Sequence, residues 1–317
     1  MKKILVTGSG GFIFSNFIRK CLFDKLPYKF VSVDYCKVPN VLNNIYANKG
    51  HTFYVANVAD RHAMDVIFQI EQPDYVIHAA AESFVDASIQ DASAFITSNV
   101  LGTQVIVDLC LKWKVQKLLY VSTDEVYGHL TSELQTSWTE MSNLNPRNPY
   151  SASKAAGELL VQAAHHTHGL PYLITRSCNN FGPRQQSRNF IPKIIKSILE
   201  NTPMPIFGQG MQMREWIYVE DNCEATLTVL EKGQLNSIYN ISTGYELSNI
   251  EMFQKICNIM GTGHNLAKFV TDRPGHDFRY SINPSLIKDL GWKPKYKLQE
   301  GLYKCIEWYK NNNWFIK

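Results

Sequence analysis

The chain has 317 residues, of which 45% are hydrophobic and 19% charged, and its net charge is only +4. A chain of this length and composition can bury a sizeable core, which excludes disorder and fibrous repeats. No run of Lys or Arg alternates with aromatics as a nucleic-acid surface requires, so the mild positive balance points instead to an anionic small ligand held in a cleft.

In chain order, the opening stretch Met1 to Gly8 meets glycine too soon for a signal peptide or a membrane span. The expectation is a cytoplasmic protein with no membrane partner. Seven cysteines (Cys21, Cys36, Cys110, Cys178, Cys223, Cys257, Cys305) are scattered and odd in number, and none has metal-knuckle spacing. Free thiols in a reducing compartment fit them, with a structural zinc site as the alternative.

The first half repeats one pattern, a short apolar run, a polar or glycine turn and a longer segment with helical spacing. Strands are predicted at Ile4 to Thr7, Phe30 to Val33, Thr52 to Val55, Tyr75 to His78, Leu118 to Ser122 and Tyr172 to Thr175. Helices fall between them, notably Ala92 to Lys112 and Ser151 to His166. This alternation implies an α/β fold with a parallel sheet covered by helices. After Asn179 the prolines at 183, 192, 203, 205, 274, 284 and 294 break the rhythm and predict a smaller, substrate-facing domain. We expect residues 1–178 to form the larger domain and 179–317 mainly the smaller, with later segments free to return to the first.

The first strand runs directly into Gly8-Ser9-Gly10-Gly11-Phe12-Ile13-Phe14, and a helical pattern follows. Glycines there let backbone N–H groups approach a pyrophosphate at a helix N-terminus, the arrangement of a doubly wound, Rossmann-type dinucleotide site. An ordinary strand-to-helix turn is the plainer reading. Asp34, at the end of the next strand, is placed to accept from an adenosine ribose and to repel a 2′-phosphate, which favours NAD over NADP. Phe14 stands where a third glycine normally lets helix, strand and cofactor pack closely. The helix shifts outward, the ring fills a gap among smaller neighbours, or affinity falls. We expect NAD to bind regardless and Phe14→Gly to tighten it.

Tyr150 and Lys154 lie four apart on one helical face, where an ammonium can stabilise a phenolate and lower its pKa. The plainer reading is a surface pair. Tyr120 to Gly128 places Thr123, Asp124 and Glu125 at the carboxyl end of a strand, where ligands of open α/β sheets bind. Acids opening a helix in a solvated loop are the alternative.

The glycine motif, Ser122 to Gly128 and the Tyr150/Lys154 pair together resemble the dTDP-glucose 4,6-dehydratase family. So do His78 to Ser83, Arg176 to Pro183, Arg214 to Asp221 and Arg273 to Asp277, so the resemblance runs through nearly the whole chain. It implies a nucleotide-sugar substrate and tightly bound NAD that is reduced and reoxidised in each turnover. Thr123 then bonds the sugar 4-hydroxyl, Asp124 is the general acid, Glu125 the base at C5, Tyr150 the base at O4, and Lys154 holds the nicotinamide ribose. By the same resemblance, Gly8, Gly11, Phe12, Ile13, Asp34, Asn57, Val58, Ala79, Ala81 and Asn99 join Tyr150 and Lys154 around the cofactor. Glu82, Ser83, Thr123, Asn179, Arg214 and Arg273 contact the substrate. The resemblance also implies a homodimer through Ala92 to Lys112 and Ser151 to His166.

Phe84 and Ala87 stand where the family usually has His and Arg, and Asn57 where it has an acid, which leaves open whether the nucleotide is dTDP or UDP. A 4-epimerase or decarboxylase, lacking the aspartate at 124, and a non-catalytic NAD-binding sensor are the competing readings. No metal site is expected; His165 and His168 share a helical face but have no third ligand. Trp308, Tyr309, Trp314 and Phe315 are expected to close the smaller domain's core.

Overall fold

The computed structural model describes residues 1–35, 44, 51–132, 134–272, 276–312 and 315. All six predicted runs are strands: β1 (Lys2–Thr7), β2 (Tyr28–Asp34), β3 (His51–Val55), β4 (Tyr75–His78), β5 (Lys117–Thr123) and β6 (Tyr172–Ser177). The chain continues through β7 (Asn179–Phe181), β8 (Met204–Phe207), β9 (Met213–Tyr218), β10 (Ser237–Ile241), β11 (Glu246–Ser248) and β12 (Ala267–Val270). A seven-stranded sheet runs β10-β6-β5-β4-β1-β2-β3, parallel at every pairing. Its central strands are continuous apolar runs because helices cover both faces. Ile4 and Val6 enter one core with Phe17 and Phe30, while Leu5 enters the other with Val31, Val105 and Ile106.

Strand order grows one way from β1 to β3 and then reverses to place β4 on the other side of β1. Loops leaving the carboxyl ends diverge at that reversal and open a crevice. The smaller unit holds the sheets β11-β9-β7 and β12-β8 over a third core that includes Phe181, Trp216, Phe253 and Tyr309. Near the C-terminus Trp308 packs edge-on against Tyr309 and Phe315, at 5.0 and 5.2 Å, whereas Trp314 lies outside the described residues.

The smaller unit begins at once, since β6 ends at Ser177 and β7 starts at Asn179. The helix Val219–Lys232 and β10 then return to the large sheet, where Ser237 pairs with Leu173. β10 was not among the predicted strands; it is five residues long and lies after the point where the regular strand and helix alternation ends, so local pattern gave it no weight. The helix Ser93–Lys112 is long and apolar enough to cross a membrane, and half of its most apolar stretch is buried, as in a helix packed on a sheet.

Candidate active site

At the end of β1 the chain turns at Gly8, whose φ of +68° favours glycine. A Cβ there would stand 2.7 Å from the Ala80 nitrogen, so the turn can nest against the end of β4 only without a side chain. The helix Phe12–Phe23 follows with Gly11 as its N-cap and no side chain capping it. Its first N–H groups are left for another partner. Gly8, Gly11, Phe12 and Ile13 line a cleft of about 400 Å³, together with Asp34, Asn57, Val58, Ala79 and Ala81. Asp34 accepts from the Gly10 N–H at 2.9 Å. An uncapped helix N-terminus above a glycine turn, with a carboxylate at the next strand end, fits a dinucleotide: N–H groups suit its pyrophosphate and Asp34 its ribose.

Phe14 is among the residues that line this cleft. Its ring is 3% exposed and packs 5.6 Å from Phe17 in the core that also takes in Ile4, Val6 and Phe30. Of the three outcomes considered for it, the ring fills space among neighbours. Phe14→Gly would then remove core packing, and tighter cofactor binding does not follow from it.

Asn99 was expected beside the cofactor but is not among the cleft-lining residues. It is 1% exposed; its Oδ1 accepts from the Glu82 N–H at 2.8 Å, and its Nδ2 donates to the Glu82 carbonyl at 2.9 Å and to Ser153 Oγ at 2.8 Å. Both polar atoms of its side chain go to holding the Glu82 segment against the helix Pro149–His168, so its influence on the cleft is indirect.

Thr123, Asp124, Glu125, Tyr150 and Lys154 line the same cleft as the glycine turn. The end of β5 brings the first three in: Thr123 caps a short 3₁₀ turn, Asp124–Tyr127, by accepting from the Glu125 N–H. Asn148 caps the helix that carries the other two. Its side chain accepts from the Ser151 N–H at 2.8 Å, and its Nδ2 donates to Glu125 Oε2 at 3.2 Å. One amide therefore ties the two halves of the cluster together.

Charge in this cluster is set by burial. Asp124 is 3% exposed, one of its carboxyl oxygens has no protein partner, and burial followed by the charges of Glu125 and Glu215 holds its pKa well above the ordinary carboxylate range. Burial of this kind favours the protonated form. Lys154 is 3% exposed, with its ammonium 4.2 Å from the Tyr120 ring centre, and burial lowers its pKa to about 7. The depression expected for Tyr150 is not found: enclosure, and then the charge of Glu125, raise it, and a hydrogen bond with Thr123 only partly offsets them.

A second chamber of about 590 Å³ adjoins the first. Ser83, Phe84, Glu125, Asn179, Arg188 and Asn189 line both. Glu82 belongs to the first chamber, and Arg214 to the second with Phe190, Trp216 and Tyr280. Arg214 spends donors on the carbonyls of Met213, Asp277 and Phe278 and lies over the Tyr280 ring. Arg273 lies outside the described residues. Sequence reasoning gave no role to Arg188 or Gln185, because they lie between β7 and the helix Phe190–Glu200, where single residues carry no periodic signal.

Residues 4–242 match the NAD dependent epimerase/dehydratase family. The chain belongs to that family. It is 42% identical over 309 residues to the low-salt glycan biosynthesis protein Agl12 of Haloferax volcanii, covering 96% of this chain and 98% of the relative. It is 38% identical over 335 residues to the dTDP-glucose 4,6-dehydratase of Xanthomonas campestris, covering 99% and 94%. Its fold superposes on the crystal structure of the dTDP-glucose 4,6-dehydratase DesIV of Streptomyces venezuelae, solved with NAD bound, with a TM-score of 0.94 at 35% identity over 99% of each chain. Other members of the epimerase/dehydratase family share this architecture, so the reaction is decided by the cluster at the ends of β5 and the helix Pro149–His168.

Proposed function

We propose that the chain is a nucleotide-sugar 4,6-dehydratase that converts dTDP-glucose to the 4-keto-6-deoxy sugar nucleotide and water. The observation that carries this reading is Asp124, a buried acid with a free carboxyl oxygen in the cleft that holds Thr123, Glu125 and Tyr150. An epimerase expels no oxygen and has no use for such a proton donor. The sensor reading rested on Phe14, and that ring belongs to the core.

Bound NAD supplies the acceptor for hydride from C4 and the donor of hydride to C6. Gly8, Gly11, Phe12 and Ile13 would hold its pyrophosphate, Asp34 its adenosine ribose, and Lys154 the ribose beside its nicotinamide. Thr123 orients the sugar 4-hydroxyl and Tyr150, as phenolate, takes its proton as hydride leaves C4, and the ketone so formed acidifies the hydrogen on C5; burial raises the Tyr150 pKa, so the positive charge of a bound nicotinamide would be needed to favour the phenolate. Glu125 removes that hydrogen as a proton and later returns it. Asp124 gives its proton to the departing 6-hydroxyl, which leaves as water. Burial explains the division of labour between the adjacent acids, because the enclosed Asp124 keeps its proton while Glu125 is held by Asn148 at the cleft's edge.

The enzyme is expected to convert dTDP-glucose to a product with the alkali-induced absorbance of a 4-keto-6-deoxy sugar, with no net accumulation of NADH. UDP-glucose run in parallel reads the nucleotide preference. Combining Asp124→Asn with Glu125→Gln should slow water loss by at least about a hundredfold while partial NAD reduction persists. No chromophore from either sugar nucleotide would overturn the reading, and dehydration at the wild-type rate by the double variant would overturn the roles.

The same reading includes a homodimer and a cytoplasmic location. In support of the first, Ile96 and Leu101 on one helix and Leu159 on the other are 52%, 52% and 57% exposed. In support of the second, the six described cysteines are buried free thiols.

A further inference from the structure

We infer that Arg188, laid on the ring of Phe84 where the two chambers meet, is a cation that grips the diphosphate of the sugar nucleotide. The inference rests on the dehydratase reading and adds to it a binding residue outside the recognised motifs.

A sugar nucleotide is linear, with hexose, diphosphate and nucleoside in that order. With the hexose at Thr123 and Tyr150 in the first chamber, the next group along must cross the junction, which Glu125 marks from the catalytic side. Two phosphate charges there need donors and positive potential. Arg214 has committed donors to three backbone carbonyls. Arg188 is exposed, its guanidinium carbon lies 4.8 Å from the Phe84 ring centre, and it forms no ion pair or hydrogen bond among the described residues. Stacking engages the face of a guanidinium and leaves its in-plane N–H groups for oxygen acceptors.

The backbone supports the same assignment. Asn189 is the N-cap of the eleven-residue helix Phe190–Glu200, no side chain caps that end, and Asn189 lines both chambers. The positive end of that helix therefore adds to the charge of Arg188 at the junction. The loop is anchored, since Tyr309 donates to the Gln185 carbonyl at 2.5 Å and Gln185 donates to the Asn180 carbonyl at 3.0 Å. Phe84 thus has a function of its own, as the platform that fixes where the arginine sits.

Steady-state turnover of dTDP-glucose, with inhibition by dTDP and by thymidine, tests the assignment on the full-length enzyme. Arg188→Ala should raise KM and the dTDP inhibition constant about tenfold or more, with kcat little changed and the thymidine constant unmoved. Arg188→Lys should recover part of the loss, and Phe84→Leu should give a smaller rise of the same kind. A wild-type dTDP constant in Arg188→Ala would overturn the inference. So would a thymidine constant that rises by the same factor as that for dTDP. If the unmodified enzyme neither turns over dTDP-glucose nor binds dTDP, the dehydratase reading falls first and this inference with it.

Discussion

His78 shows how much a single buried side chain can demand. It ends β4, is 1% exposed, and its ring nitrogens meet Thr7 Oγ1 at 2.7 Å and Thr103 Oγ1 at 3.0 Å. Burial, and then the charge of Lys154, lower its pKa to about 3. Unfolded, it titrates near 6.5, so between those values the unfolded chain binds the additional proton and stability falls as pH falls. From pH 6.5 to pH 5 this one residue should cost roughly 2 kcal/mol. Denaturant unfolding at pH 7 and pH 5 reads the loss. His78→Asn keeps a donor and an acceptor but does not titrate, and should flatten the dependence; equal slopes in the two proteins would remove His78 as its cause.

At the scale of elements, the cluster depends on how two helix starts are joined. Asn148 caps the helix carrying Tyr150 and Lys154 and also holds Glu125 at the end of β5, so it acts as a positioning residue for three reacting groups. Asn148→Ala should cost about 1 kcal/mol, lower Tm by about 2 °C and reduce kcat by at least about tenfold. Asn148→Asp retains the cap but repels Glu125, and is expected to restore Tm without restoring kcat. Wild-type kcat in that variant would show that the amide's link to Glu125 does not matter. The helix was expected from Ser151, and Asn148 was given no role, although Asn148-Pro149 is a helix-start pattern. The link to Glu125 was not legible, because it joins residues 23 apart in the chain.

Across the whole molecule, the helices Ser93–Lys112 and Pro149–His168 bury one side on the large sheet and turn the other outward. Outward Leu101 and Leu159 are flanked on the second helix by exposed Ala152 and Ala163, a smooth apolar surface suited to a second copy. Light scattering should therefore return the mass of two chains. Leu101→Asp combined with Leu159→Asp should return that of one, because charge placed in an apolar interface has no partner. A single-chain mass for the unmodified protein would rule the dimer out.

What the amino-acid order determined by itself was local and repetitive. Six strands and their crossover helices followed from apolar periodicity, and the glycine turn followed from the strand before it and the helix after it. The place of the acidic pair at a strand's carboxyl end followed from the strand before it, whereas the roles of its members came from the family resemblance. Tertiary structure alone decided the matters that depend on which distant residues meet. It turned Phe14 into the core, assigned Asn99 to the Glu82 backbone, returned β10 to the large sheet and laid Arg188 on Phe84. It also raised the pKa of Tyr150, which was expected to fall, since a spacing of four residues sets where two groups stand, whereas a pKa depends on how much water the rest of the fold excludes.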